Sequence, residues 1–204
     1  MFRVCERCGE WNDEIVVSDD GAAVCTYCGH LRPLLRLPLF QITGASGTGK
    51  TRVGLDLARA LPECVVLDQD ITLAGLPWEQ HRQNWLRVAA NIHQGNRSVV
   101  FVATQLPEHY EPLPERAWFS DIHYLALVCD NATLAERLRR RPAWRGATDE
   151  RINEMQSFNR WLLANAASTV PPMTLLDTSD AEPRETVAAV AAWVRERLTP
   201  HARS

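Results

Sequence analysis

The stretch "LPLFQITGASGTGKT", residues 37–51, changes character at Gly44. An apolar run from Leu37 to Thr43 predicts a buried strand, and "RVGLDLARAL" after Thr51 has the spacing of an amphipathic helix. Between them lies Gly44-Ala45-Ser46-Gly47-Thr48-Gly49-Lys50-Thr51, the glycine loop pattern that cradles phosphate between a strand and a helix. Glycines 44, 47 and 49 let backbone N–H groups turn inward around an anion, and the helix N-terminus adds partial positive charge. Lys50 supplies a compact ammonium for phosphate oxygens, and Thr51 a hydroxyl for Mg²⁺.

The composition sharpens that reading. Of the 22 basic residues, Lys50 is the one lysine and all others are arginine. A position that takes lysine in such a chain is one where a planar guanidinium does not serve. The length of 204 residues allows one full core and a small appendage. The net charge of −3 gives no general attraction to nucleic acid or anionic membrane. No apolar run is long enough to span a bilayer, and "MFRVCERCGEWNDE" lacks a secretory apolar core, so a cytoplasmic protein is expected.

Residues 1–36 read as a separate unit. Cys5-x-x-Cys8-Gly9 and Cys25-x-x-Cys28-Gly29 have the spacing of a four-cysteine zinc site, with a hairpin turning at Asp20-Gly21 between them. Four thiolates close a tetrahedron and leave no position for water, so the expected Zn²⁺ is structural. The pattern resembles a zinc ribbon. Its four arginines face six carboxylates, which argues against a nucleic-acid partner and for a folding clamp or a dimer contact. Both monomer and homodimer remain open. Cys64 and Cys129 sit in apolar stretches and read as core residues.

Beyond the loop, strands are expected at 64–68, 98–104, 122–129 and 174–177, and helices at 79–94, 132–141, 148–166 and 184–198. Unalternating apolar strands between helices predict an α/β fold with a parallel sheet covered on both faces. "PEHYEPLPE", 107–115, reads as a surface loop. Ligands in such sheets gather at the carboxyl ends of the strands. That edge offers the glycine loop, then Asp68 and Asp70, then Thr104 and Gln105, then Asp177 to Asp180. "DNATLAERLRRRPAWRG", 130–146, begins with helix-cap residues and places Arg137 and Arg141 four apart, with Arg140 and Arg145 near. Such a cluster suits a polyphosphate better than a solvated face.

With these motifs the chain, over about residues 37–200, resembles the phosphate-loop kinase superfamily of nucleoside, nucleotide, shikimate, gluconate and chloramphenicol kinases. The resemblance implies a three-layer fold, a five-stranded sheet in the order 2-3-1-4-5, and a kinase domain over 37–204. It implies ATP at residues 44–51, with Arg137 stacking on adenine and Asp177 and Thr178 in the adenine-cradling loop. It implies Mg²⁺ at Thr51 and Asp68, and Lys50, Asp70, Arg141 and Arg145 as the transfer machinery. "DQD" matches the D-x-D of shikimate-type kinases, with Asp70 meeting the acceptor hydroxyl. No Walker B aspartate closes strand 98–104, which argues against a motor or switch ATPase.

The acceptor is expected over residues 71–95, with Asp70, Trp78, Arg82, Thr104 and Gln105 as contacts. Trp78 follows Gly75 and Pro77 in an expected loop, where it could stack on a flat acceptor. Trp85, Ala89 and Ile92 read as a core face, Trp144 and Trp161 as packing groups, and His81 and Arg82 as either binding or solvated. The reading is an ATP-dependent kinase acting on a small acceptor, a nucleoside or nucleotide first. The alternatives are an antibiotic or a sugar-like alcohol as acceptor, or a regulatory ATP- or nucleic-acid-binding module.

Overall fold

The computed structural model describes residues 3–72, 75–145 and 147–198. Leu73, Ala74 and Gly146, from the expected acceptor segment and arginine loop, and 199–204 of the expected kinase domain, lie outside the described residues. Three two-residue strands come first: β1 (Val16–Val17), β2 (Ala23–Val24) and β3 (Leu31–Arg32), antiparallel in that order. Gly21, at a φ of 80°, makes the turn between β1 and β2, as the Asp20-Gly21 pair predicts.

The larger sheet holds β4 (Leu39–Gly44), β5 (Cys64–Asp68), β6 (Ser98–Val102), β7 (Ile122–Val128) and β8 (Thr174–Asp177). All are parallel, in the order β5-β6-β4-β7-β8. Counted from the glycine-loop strand, this is the expected order 2-3-1-4-5. β4 is buried along its whole length because helices cover both of its faces.

Alternate residues of β4 face different layers. Phe40 and Ile42 meet α1 (Lys50–Ala60) through Val53 and Leu57, and α6 (Pro183–Leu198) through Val190 and Val194. On the other face α2 (Trp78–His93) buries Trp85, Leu86, Ala89 and Ala90 against Phe101 and Tyr124. Trp85 and Ala89 thus form the core face read from their spacing, with Ile92 packed at its margin. Cys64 and Cys129 are core residues, 5% and 2% exposed. α4 (Asn131–Arg139) and α5 (Asp149–Asn165) pack on each other beside the glycine loop, through Leu134, Leu138 and Ile152. Asp130 caps α4 by accepting the Thr133 N–H at 2.9 Å, which satisfies one of the unpaired donors of the first turn.

Several local expectations are corrected. Residues 107–115 are not a surface loop. They form α3 (Pro107–Tyr110) and the start of a 3₁₀ turn over Pro114–Trp118. Two buried polar contacts pull this segment in: Tyr110 donates to Gln69 Oε1 at 2.8 Å, and Glu115, 3% exposed, pairs with Arg87 at 2.9 Å. α4 ends at Arg139, so Arg141 lies beyond the helix, before Pro142. Trp78 opens α2 rather than sitting in a loop. Trp144 is 80% exposed and no packing group, whereas Trp161 stacks on Phe158.

Residues of the ribbon also pack into the main core. Ile15 and Ala23 belong to the cluster that holds Trp85 and Phe119. Trp118 Nε1 donates to the Ile15 carbonyl at 3.0 Å, and the Gln94 amide makes two bonds to the Leu35 backbone at 3.0 and 3.1 Å. These contacts lie where α2 ends and β7 begins, at the sheet edge opposite the glycine loop. No helix among the described residues is long and apolar enough to cross a membrane.

Candidate functional site

The glycine loop is built by backbone constraints. Gly44 sits at a φ of 143°, and a Cβ there would strike the Leu127 carbonyl of the neighbouring strand. Gly49 occupies the N-cap of α1 at a φ of 100°, with no side-chain cap, so the first-turn N–H groups stay available to an anion. Lys50 folds back over the loop and donates to the carbonyls of Gly44 at 2.6 Å and Ala45 at 3.0 Å. Burial pushes its ammonium down to about 8, partly opposed by Asp70. A phosphate beside it would offset that lost solvation.

A cleft of about 280 Å³ opens over the loop. Ser46, Gly47, Gly49, Lys50 and Thr51 form its floor, and Arg137, Arg141 and Arg145 one wall. Asp70 and Thr104 line it too, and among the described residues Asp70 is the one carboxylate in the lining. Among the described residues, none of these four cations meets a carboxylate within 4.0 Å. Desolvation, then repulsion from Arg145 and Arg151, disfavours the charge of Arg141. Arg145 lies over the Trp144 ring at 5.3 Å. By contrast, Arg140 turns away to Glu136 at 2.5 Å. The cleft carries an uncompensated positive charge suited to a polyanion.

A smaller, largely apolar cleft adjoins it, lined by Thr48, Gly49, Val53, Arg137, Thr178 and Pro183 among others. Arg137 lines both clefts and is fixed by Thr178 Oγ1 at 3.2 Å, the Thr178 carbonyl at 2.6 Å and the Ser179 carbonyl at 3.3 Å. Asp177 lines neither cleft. Its Oδ1 accepts from the N–H and hydroxyl of Ser179 at 2.8 and 2.6 Å and so shapes the loop. Arg52, which the sequence reading passed over, also lines both clefts. Its place one residue after Thr51, in the first turn of α1, is the signal that could have found it.

The two aspartates are arranged differently from two side chains on one strand. β5 ends at Asp68, and Gln69–Thr72 form a 3₁₀ turn. Asp68 Oδ1 accepts the N–H of Asp70 at 2.9 Å, which aims Asp70 into the cleft. Partial desolvation, then the charge of Asp68, raises Asp70 above the ordinary carboxyl range, against Lys50 and His81. Thr104 is tied to the loop by its hydroxyl, which donates to the Gly44 carbonyl at 3.2 Å. Gln105 and Arg82 form a separate pair at 3.0 Å. Trp78 is 59% exposed with its ring edge-on to His81, and His81 is buried and accepts from Trp85 Nε1 at 3.1 Å. Of the two residues with open readings, His81 is therefore not solvated.

At the other end of the molecule the four thiols of Cys5, Cys8, Cys25 and Cys28 lie within 4.8 Å of one another. Cys5–Cys28 and Cys8–Cys25 are each 3.7 Å apart. A tetrahedral Zn²⁺ with bonds of about 2.3 Å needs sulfurs about 3.8 Å apart, so the residues fit that ion. The thiols come from two matching turns, Cys5 and Cys8 on one and Cys25 and Cys28 on the other: Gly9 N–H bonds the Cys5 carbonyl at 2.8 Å, and Gly29 N–H the Cys25 carbonyl at 2.9 Å.

No protein-family model matches the sequence, and no curated protein matches it. Solved structures do. A sugar kinase from a Janibacter species is 14% identical with a TM-score of 0.54, over 80% of this chain and 96% of that one. A gluconokinase from Sinorhizobium meliloti is 17% identical with a TM-score of 0.52, over 82% and 97%. A tRNA isopentenylpyrophosphate transferase from Bacillus halodurans is 12% identical with a TM-score of 0.52, over 80% and 97%. At such identities the likeness is one of fold, and the third match shows that this fold also serves transfer of another group. From β4 onward, the chain has the fold of the phosphate-loop kinases.

Proposed function

We propose that the protein is an ATP-dependent kinase that transfers the γ-phosphoryl group of MgATP to a small acceptor, a nucleoside or nucleotide first. The observation that carries this reading is the cleft itself: Lys50, Arg137, Arg141 and Arg145, none paired with a carboxylate among the described residues, line it together with one carboxylate, Asp70. The cations suit the triphosphate, and the carboxylate suits a hydroxyl about to lose its proton. The apolar cleft beside Arg137 and Thr178 suits the adenine. Thr51 and Asp68 would hold Mg²⁺ and its water, and the ion would neutralise phosphate charge when bound.

In the transfer, the acceptor oxygen forms a bond to the γ-phosphorus and the bond from that phosphorus to the β–γ bridging oxygen breaks, releasing ADP. The hydroxyl proton passes to Asp70. Lys50, Arg141 and Arg145 stabilise charge on the moving phosphoryl oxygens. Transfer of label from γ-labelled ATP to members of a panel of nucleosides, nucleotides, sugars and aminocyclitols tests the reading. A labelled acceptor supports it, and ATP that stays intact throughout counts against it.

The two arginines should separate in their effects. Arg141→Ala is expected to lower turnover more than ATP affinity, because its target is charge that develops in the transition state. Arg137→Ala is expected chiefly to raise the apparent ATP constant, since its guanidinium is fixed by the Thr178 loop at the adenine side. Steady-state kinetics of both variants check this, and identical behaviour would contradict the division.

We read the thiol cluster as a structural zinc site, one ion per chain. The ribbon's shared core with α2 supports a folding clamp, and its excess of carboxylates supports a role without nucleic acid. Cys8→Ser or Cys25→Ser should lose the ion and sharply lower thermal stability. Elemental analysis of reduced protein should find one zinc per chain, and finding none would contradict the assignment.

A further inference from the structure

Successive side chains of a strand point to opposite faces of its sheet, and the register of β1, β2 and β3 sorts them. Val17, Ala23 and Arg32 are aligned across the three strands on one face. That face turns inward: Val17 packs against the main core, and Ala23 and Arg32 are buried. Val16, Val24 and Leu31 are aligned on the other face. Val16 is 49% and Leu31 54% exposed, with Val24 half-buried between them. A sheet with one face on a core ordinarily turns polar side chains to water on the other. Here the solvent side carries an unbroken apolar row. With strands about 4.8 Å apart, three of them make that row about 10 Å long.

The exposed charge of the ribbon has mostly one sign. Glu6, Glu10, Asp13, Glu14, Asp19 and Asp20 are all exposed, and among the described residues no arginine meets any of them within 4.0 Å. Several stand close to the row in the chain. Glu14 comes two residues before Val16, Asp19 and Asp20 lie in the turn after β1, and Glu6 reaches His30, the neighbour of Leu31, at 3.2 Å. Three of the four arginines serve backbone carbonyls instead: Arg3 that of Asn12 at 3.0 Å, Arg32 that of Val4 at 2.6 Å and Arg36 that of Phe119 at 3.0 Å. Of the four, Arg7 alone is exposed. The ribbon therefore shows solvent an apolar row in an acidic surround.

We propose that this face docks a basic amphipathic helix of a partner protein. Apolar residues at i, i+4 and i+7 of a helix form a stripe about 10 Å long, the length of the row. Lysines and arginines flanking that stripe would meet the carboxylates, so charge selects the partner while the apolar contact holds it. A second copy of the chain does not suit the face, because two acidic ribbons repel one another. Nucleic acid and anionic membrane carry the same sign as the ribbon and are repelled too. The proposal is independent of the reaction in the cleft.

The probe is a fluorescently labelled helical peptide with leucine at i, i+4 and i+7 and lysine or arginine elsewhere, titrated into the full chain and followed by anisotropy. Saturable binding of one peptide per chain, weaker at high salt, is expected. Two control peptides separate the contributions: one with serine for leucine, the other with glutamate for the basic residues. Each should bind roughly tenfold more weakly or worse. On the protein, Val16→Ser with Leu31→Ser should weaken binding to the same degree while the thermal midpoint stays in place, since both side chains face solvent. Glu14→Gln with Asp19→Asn gives a second variant that leaves the apolar row whole. It should weaken binding at low salt and flatten the salt dependence. No saturable binding, equal binding of the serine peptide, or full affinity in both variants overturns the proposal. Light scattering of the protein alone tests the other occupant: a dimer that Val16→Ser with Leu31→Ser dissolves would assign the face to a second copy and overturn the proposal. Binding of RNA or of anionic vesicles that the same double variant abolishes would overturn it as well.

Discussion

Asp70→Asn should cut phosphoryl transfer by roughly 10²–10⁴-fold, the usual span of general-base catalysis, while MgATP binding stays near the wild-type value. The geometry gives the reason. Among the described residues Asp70 is the one carboxylate lining a cleft that Lys50, Arg137, Arg141 and Arg145 also line, and the side chain of Asp68 holds its backbone in place at 2.9 Å. Its carboxyl is raised above the ordinary range by desolvation and Asp68, which makes it a better proton acceptor than a free aspartate. Asparagine keeps the shape and the hydrogen bond but cannot take the proton. Asp68→Asn should behave differently, raising the Mg²⁺ concentration needed for turnover. Rates at saturating ATP with the true acceptor decide the matter. An Asp70→Asn enzyme at full speed would make Asp70 a strand-end charge and nothing more.

Lys50→Arg keeps a positive charge, yet a loss of turnover on the order of 10²–10³-fold is expected, as when one stabilising donor is removed from a transition state. The ammonium reaches two loop carbonyls at 2.6 and 3.0 Å, and a planar guanidinium cannot enter that space without opening the loop. Titration offers a second readout. The Lys50 ammonium is held down to about 8 in the free protein, so ATP affinity should fall as pH rises through that value. Binding above it should take up a proton, because phosphate favours the charged lysine. Arginine does not deprotonate, so in Lys50→Arg this inflection near pH 8 should vanish. Calorimetry in two buffers of different ionisation enthalpy measures the proton uptake. An affinity that stays flat across that pH range in the wild type would remove Lys50 from the phosphate site.

The glycine loop, its strand and its helix were legible because they are local: spacing and glycine positions specify them without distant partners. Strands 64–68 and 174–177 match β5 and β8 residue for residue, since each is an apolar run closed by a carboxylate. The cap at Asp130 and the turn at Gly21 belong to the same local class. What escaped was decided by distant contacts. Nothing within 107–118 announces that Tyr110 will meet Gln69, or Glu115 Arg87, and proline content alone pointed to a loop. Trp144 escaped for the opposite reason: tryptophan is usually buried, and here it carries the Arg145 guanidinium in the open. His81 could not be placed without Trp85, four residues on, which turns it inward. Within the site, spacing put Arg137 and Arg141 near one another, but only the fold shows that Arg137 spans two clefts while Arg140 leaves for Glu136.

The claim that this cleft transfers phosphoryl groups is tested most directly by following γ-labelled ATP with the acceptor panel, for the wild type and Asp70→Asn at equal nucleotide occupancy. The account predicts label in one class of acceptor with the wild type, in equal amount to the ADP formed, and almost none with Asp70→Asn. Label released only as inorganic phosphate, at the same rate in both proteins, would contradict it.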